Sequence, residues 1–256
     1  MAEALIRGLL AARLAQPEHL TVLEPDATRC RHLQAEYSVH CARDADELCR
    51  TSRVLVAAVK PQLADQALAA CNPFLTDDHL VISIMAGVSL ADLADIFTEP
   101  VRLIRVMPNT PALVLAAASA FSANDRATAE DRQVAQTLFS AVGTCVEVAE
   151  YQLDAVTGLS GSGPGYVFTF IEAMIDGGVL AGLPRPLAEQ LVLQTVFGSA
   201  RLALETSEHP AVLKGRVTSP GGTTITGLQV LEQGGFRGLV MNAVAAATAR
   251  SRELGA

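Results

Sequence analysis

The sequence predicts an α/β first half built as a doubly wound parallel sheet, followed by an all-helical second half. Three observations predict it. Short apolar runs at Val54–Val59, Leu80–Ile84 and Val101–Val106 alternate with helical patterns of about 10–15 residues, the rhythm of strand–helix–strand units. The runs are apolar at almost every position rather than every second one, as in strands covered on both faces. Beyond Tyr151 the strand signals stop and long helical patterns replace them.

In chain order, a helix is predicted over Ala2–Leu14, a strand over Leu20–Leu23, and a polar helix over Ala27–Glu36. An extended piece near Val39 and a helix over Asp44–Thr51 follow. The strand Val54–Val59 ends in Lys60-Pro61, where proline suits the first turn of a helix. Next come a strand at Leu80–Ile84, a helix at Ser89–Ile96 with Ser89 as its N-cap, and a strand at Val101–Val106. A strand near Ala117–Ser122, a helix over Thr128–Val142 and a strand over Cys145–Val148 complete a first domain, 1–150. The second domain, 151–256, reads as helices Gly163–Leu180, Pro186–Leu204, His209–Arg216, Gly227–Gly234 and Arg237–Glu253. Gly163–Leu180 and Pro186–Leu204 are apolar around much of their circumference, and so small a domain has little interior to offer them. They are predicted to pack against a second copy of the chain; the alternative is a self-contained bundle.

Composition narrows the function. Half of the 256 residues are apolar, yet no window holds the 18 or more uninterrupted apolar residues of a membrane helix. A net charge of −8 argues against nucleic acid, which requires a basic face. Five cysteines form no C-x-x-C pair, and are expected to be reduced thiols of a reducing compartment. Five scattered histidines give no metal-ligand spacing. The segment Met1–Ala15, amphipathic with Arg7 and Arg13, has a transit-peptide look; Glu3 and the scarcity of hydroxyl residues make it a structural helix instead. The expectation is a soluble cytoplasmic chain without membrane, nucleic-acid or metal partners.

Four loops carry unusual sequence. Ala58-Val59-Lys60-Pro61 lies at the carboxyl end of a buried strand, where open α/β sheets bind ligands, and Lys60 can pair with phosphate or ribose there. Lys60 and Lys214 are the only lysines. Met107-Pro108-Asn109-Thr110-Pro111 is a rigid turn presenting Asn109 and Thr110 at the same edge. Gly158 to Gly165 alternates glycine and serine before the first long helix, which would expose backbone N–H groups to an anion. Thr218-Ser219-Pro220-Gly221-Gly222-Thr223-Thr224 opens another helix with a nest of N–H and O–H donors and no carboxylate, a site suited to a small carboxylate ligand. None of these loops holds His, Cys, Asp or Glu, the usual bases and nucleophiles, which argues against a hydrolase or acyl transferase. Hydride delivery to an electrophilic C=N bond needs little from the protein beyond positioning.

Together with Ser83-Ile84-Met85-Ala86-Gly87-Val88, these loops resemble, in order and from Met1 to the end, those of pyrroline-5-carboxylate reductases. The resemblance implies a Rossmann-like NAD(P)-binding domain, a helical dimerisation domain, and reduction of 1-pyrroline-5-carboxylate to L-proline in the last step of proline biosynthesis. It places the cofactor on Ala58, Val59, Lys60, Pro61, Met85, Ala86, Gly87 and Asn109. It places the substrate on Ser219, Gly221, Gly222, Thr223 and Thr224, with Thr224 donating a hydrogen bond, or the proton, at the ring nitrogen. It also implies a homodimer through the C-terminal helices, assembling further into decamers.

Departures accompany the likeness. Family members open on a strand running into G-x-G-x-x-[GA], whose last positions resemble Met1-Ala2, so the first strand and its glycines are expected to be missing, to the detriment of cofactor binding. Gly158 and Gly165 stand where the family usually has Ala. Glu24, at the end of the second strand of such a domain, suits the ribose hydroxyls of NADH, whereas Arg29 and Arg31 nearby could accept the extra phosphate of NADPH. The family more often uses NADPH, so NADPH (or NADH) is expected. Two alternatives are a non-catalytic homologue that only oligomerises and a 3-hydroxy-acid reductase of the same fold. The latter needs a helical Lys in the second domain, and Lys214 instead precedes the Ser-Pro-Gly-Gly loop.

Overall fold

The computed structural model describes Met1–Gly255. The first half alternates as expected. Helix α1 (Ala2–Ala11) leads through a turn to strand β1 (Thr21–Val22), then α2 (Ala27–Tyr37), β2 (His40–Cys41), α3 (Ala45–Thr51) and β3 (Val54–Ala57). A 3-10 turn at Pro61–Leu63 opens α4 (Ala64–Ala69), followed by β4 (Leu80–Ser83), α5 (Leu90–Ile96), β5 (Arg102–Met107) and β6 (Ala117–Ala123). Then come α6 (Ala129–Ser140), β7 (Gly143–Glu147) and the short α7 (Leu153–Val156).

Caps explain where the helices begin. Asp26 accepts the Thr28 and Arg29 N–H groups at the head of α2, and Asp44 accepts the Glu47 N–H in α3. Ser89 with Asp92 and Thr128 with Asp131 form reciprocal capping boxes on α5 and α6. Each satisfies helix-end donors that would otherwise lack partners.

The strands form two sheets rather than one. Strands β1 and β2 pair in parallel, while β3-β4-β5-β6-β7 form a five-stranded sheet in sequence order. No strand precedes α1 among the described residues, and β3 has β4 as its only strand neighbour. The larger sheet is mixed, correcting the expectation of a wholly parallel one: β3, β4 and β5 are parallel, β6 runs antiparallel to β5, and β7 is parallel to β6. The connection Pro108–Ala116 holds only a 3-10 turn, and a parallel crossover needs a dozen or more residues. A chain turning back this soon must pair antiparallel.

Both faces of the larger sheet are covered. On one, Leu80, Ile82, Ile104 and Val106 pack with Ala4 and Leu5 of α1 and Phe139 of α6. On the other, Leu55, Val81 and Leu103 meet Cys49, Leu68, Leu90 and Leu93 from α3, α4 and α5. Side chains of adjacent strand residues thus enter different cores, which is why these strands are continuously apolar. Each such fully buried aliphatic or aromatic side chain contributes about 1.5–3 kcal/mol.

The expectation of five reduced thiols is corrected by a disulfide between Cys30 on α2 and Cys41 on β2. Their Cα atoms lie 6.4 Å apart, a span that a disulfide bridges. Cys49, Cys71 and Cys145 are free and buried.

The second half is helical throughout: α8 (Gly163–Leu180), α9 (Arg185–Thr206), α10 (Pro210–Arg216), α11 (Thr223–Gln233) and α12 (Phe236–Leu254). By internal contacts the chain divides into a unit of Met1–Ser162 with the chain from Ala245 onward, and a unit of Gly163–Val244. The strand signals cease near Glu150, somewhat before this division. Within the helical unit Gly178 lets α8 approach α9, since a Cβ there would stand 3.1 Å from the Ala188 Cβ. The unit has little core of its own: α8 buries no residue and α9 only Ala188 and Val192. Phe168, Leu193 and Phe197 are exposed, Leu180 to 91% and Leu204 to 79%. So much uncovered apolar helix surface is the mark of an interface and not of a self-contained bundle. No helix is long and apolar enough to cross a membrane among the described residues.

Candidate functional site

Strands β3, β4 and β5 are parallel neighbours, so their carboxyl ends share one edge. Two of the loops singled out in the sequence leave β3 and β4 there. Ala57 pairs with Ser83, and the Ile84 N–H donates to the Ala57 carbonyl at 3.1 Å, tying the roots of both loops together. On the β3 loop, Ala58 is half-buried and Val59, Lys60 and Pro61 are exposed. Lys60 makes no ion pair among the described residues. On the β4 loop, the Met85 N–H donates to Ser83 Oγ at 3.3 Å and the Met85 side chain, 2% exposed, belongs to the core. Ala86 and Gly87 remain at the edge. Gly87 has φ +76°, and a Cβ there would lie 3.5 Å from the Leu254 carbonyl, so the loop turns under the end of α12.

The third loop leaves β5 at the same edge. Asn109, 9% exposed, donates from Nδ2 to the Ser160 carbonyl at 3.0 Å, and its Oδ1 accepts the Ala118 N–H at 3.0 Å. Its amide is thus committed to the protein, and holds this loop against 157–161. That segment is not the open nest expected from its glycines and serines. Thr157–Gly161 form a π-helical turn between α7 and α8, with the Ser162 N–H donating to the Thr157 carbonyl at 2.8 Å. A helical segment consumes the N–H groups that a loop would present. A Cβ on Gly161 would stand 2.6 Å from Met107 Cε, the mobile end of a flexible side chain, so the Met107 side chain packs directly over this turn.

In the helical unit, Ser219, Gly221, Gly222, Thr223 and Thr224 form one loop at the head of α11. Gly222 is the N-cap and offers no side chain to the helix. The first-turn N–H groups of Thr223 and Thr224 therefore stay open, and the Ser219, Thr223 and Thr224 hydroxyls have no partner among the described residues. The turn is set by Gly221 at φ +64° and by a Gly222 N–H bond to the Ser219 carbonyl at 3.0 Å. A Cβ on Gly222 would fall 2.2 Å from Ser219 Oγ and 3.2 Å from the Ser219 carbonyl oxygen, so a side chain at this position would displace the Ser219 hydroxyl. Next to this loop is a cleft of about 550 Å³ lined by Lys214, Thr218, Gly221, Ile225 and Thr226, with Glu232 on its wall. A cluster of unpaired donors at a helix start, with no acid in it, suits a carboxylate.

Two clusters were not legible in the sequence. Glu150 Oε1 accepts the Leu90 N–H at 2.6 Å and an Arg105 N–H at 3.2 Å, fixing the start of α5 beyond the Gly87 loop. Glu3, in the first turn of α1, accepts from Tyr37, Arg29 and His32. The Tyr37 hydroxyl above all, helped by His32 and Arg29, lowers the Glu3 pKa from the ordinary 4.5 to about 2. No local pattern announces either carboxylate, whose partners lie 26 to 60 residues away. Burial pushes the Cys49 thiol up to about 12 and that of Cys145 to about 11, so neither supplies a thiolate nucleophile. No group of three or more His, Cys, Asp or Glu that could hold a metal occurs among the described residues.

The edge fits a dinucleotide. Lys60, exposed there, is unpaired among the described residues, and Ala86 and Gly87 put no bulky side chain on the β4 loop.

Residues 150–254 match a family model described as pyrroline-5-carboxylate reductase dimerisation, and residues 1–87 match one described as NADP oxidoreductase coenzyme F420-dependent. A pyrroline-5-carboxylate reductase of Synechocystis sp. is 51% identical over 100% of this chain and 95% of its own length. The structure of a pyrroline-5-carboxylate reductase from Coxiella burnetii has a TM-score of 0.95 at 34% identity, covering 100% of this chain and 95% of that one. A Plasmodium falciparum pyrroline carboxylate reductase with NADP bound has a TM-score of 0.87 at 34% identity, covering 99% and 94%. A match of this extent, spanning both the Rossmann-like and the helical halves, means that the chain belongs to the pyrroline-5-carboxylate reductase family.

Proposed function

We propose that this chain reduces 1-pyrroline-5-carboxylate to L-proline with NAD(P)H, the last step of proline biosynthesis. The observation that carries the reading is the open head of α11, where three unpartnered hydroxyls and uncapped N–H groups meet without a carboxylate among them. NAD(P)H supplies the hydride that adds to the imine carbon. Residues 1–150 act as the cofactor domain, with Ala58, Val59, Lys60, Pro61, Met85, Ala86 and Gly87 along the carboxyl edge. Lys60 pairs with phosphate or ribose oxygens, Met85 contributes through its backbone, and Asn109 positions the third loop. Residues 151–256 act as the substrate and dimerisation domain. Ser219, Gly221, Gly222 and Thr223 take the substrate carboxylate through N–H and O–H donors. The Thr224 hydroxyl donates to the ring nitrogen, which gains a proton as the C=N bond is reduced. Preorganised donors aimed at the reacting group lower the barrier without reorganising during the step.

The exposed faces of α8 and α9 support a homodimer through these helices that assembles further into a decamer, and the family role supports a cytoplasmic location. The test is loss of NAD(P)H absorbance on adding pyrroline-5-carboxylate, with proline identified as product. An assembled, folded protein that consumes no cofactor would sink the reading.

A further inference from the structure

The edge of the small sheet is built against a phosphorylated ribose. Glu24 lies two residues beyond β1, the strand that follows α1, where a Rossmann-like domain meets the adenosine ribose. Its Oε1 accepts the Asp26 N–H at 3.1 Å, which holds the carboxylate at the strand's end, and its Oε2 has no partner among the described residues. Asp26 Oδ1 accepts the Thr28 and Arg29 N–H groups at 2.8 and 3.2 Å, so the donors heading α2 are already satisfied. Of the two nearby arginines, the Arg29 guanidinium is bound to the Glu3 carboxylate, which Tyr37 and His32 also hold. Arg31 makes one contact, to Thr28 Oγ1 at 3.3 Å. A 2′-phosphate here would meet the Glu24 and Asp26 carboxylates, and of the two arginines nearby in sequence only Arg31 stands outside an ion pair. A 2′-hydroxyl would meet a fixed acceptor.

We propose that Glu24 makes this chain prefer NADH to NADPH, accepting the ribose hydroxyls on its free oxygen while the Glu3–Arg29 pair withholds the cation that would receive the phosphate. The proposal rests on the reductase reading and sharpens its cofactor. Calorimetric titration of the whole chain with NADH and with NADPH, without substrate, tests it. NADH is expected to bind about tenfold tighter or more. Glu24→Ser is expected to weaken NADH and strengthen NADPH, and Glu24→Gln, of the same shape, to narrow the ratio while keeping the fold. NADPH binding as tightly as NADH in the unaltered chain, or a ratio unmoved by both variants, would overturn it. Tighter NADPH binding together with turnover of pyrroline-5-carboxylate removes the proposal and leaves the reductase standing. Binding of neither nucleotide removes both.

Discussion

Asn109 joins Ser160 across a gap of 51 residues in sequence, donating to its carbonyl at 3.0 Å while its own Oδ1 takes the Ala118 N–H. One buried amide thus fixes three segments: the loop after β5, the π-helical turn before α8, and the start of β6. Asn109→Ala leaves one buried N–H and one carbonyl unpaired and is expected to cost about 1–3 kcal/mol of stability. Urea denaturation of the variant, read against the unaltered protein, checks this.

Thr224 has the opposite character, exposed and without an internal partner. Thr224→Ala is expected to leave the urea midpoint where it was and to lower kcat/KM by about 1–3 kcal/mol of transition-state stabilisation. Steady-state kinetics with pyrroline-5-carboxylate measure it; an unchanged kcat/KM removes the hydroxyl from the reaction.

Asp131 is buried, takes two bonds from Arg102 Nη1 at 2.8 and 3.1 Å, and closes the capping box of α6 with the Thr128 N–H at 2.8 Å. Asp131→Ala strands the arginine and one helix end together. The expected loss is about 3–5 kcal/mol, as for other broken buried pairs, with thermal unfolding as the readout.

Glu3 ties α1 to α2 only while ionised. Its folded-state pKa of about 2 lies below the ordinary 4.5, so the ionised form favours the folded state. That contribution is complete above pH 4.5 and is lost as pH falls toward 2. Denaturation midpoints followed between these limits should drop in the unaltered protein, and drop less steeply in Glu3→Gln.

Phe197, exposed on α9 with Leu193 and Leu204, is expected to be covered in the homo-oligomer. Phe197→Asp would bury a charge there, and sedimentation should show smaller species at concentrations where the unaltered chain assembles. Unchanged sedimentation would place the interface elsewhere.

Much of this architecture is legible in the sequence because it depends on local rules. The Ser89 cap, the bounds of Gly163–Leu180 and the strand runs follow from periodicity and end chemistry, which neighbouring residues decide. The donor-rich loop at the head of α11 is visible for the same reason, since its donors lie within a few residues of one another. What escaped depends on distant partners or connection geometry. The reversal of β6 is set by the shortness of Pro108–Ala116, the pairing of Cys30 with Cys41 by the packing of α2 beside β2, and the role of Asn109 by Ser160 and Ala118. The glycines of 158–165 misled because a loop and a π-helical turn use the same small residues.

Gly222 and Ser219 constrain one another in a way that reaches beyond the folded loop itself. A Cβ at 222 would fall 2.2 Å from Ser219 Oγ and push that hydroxyl aside. The two positions therefore drift together or not at all, and tolerated changes along this loop are expected to fall outside the pair.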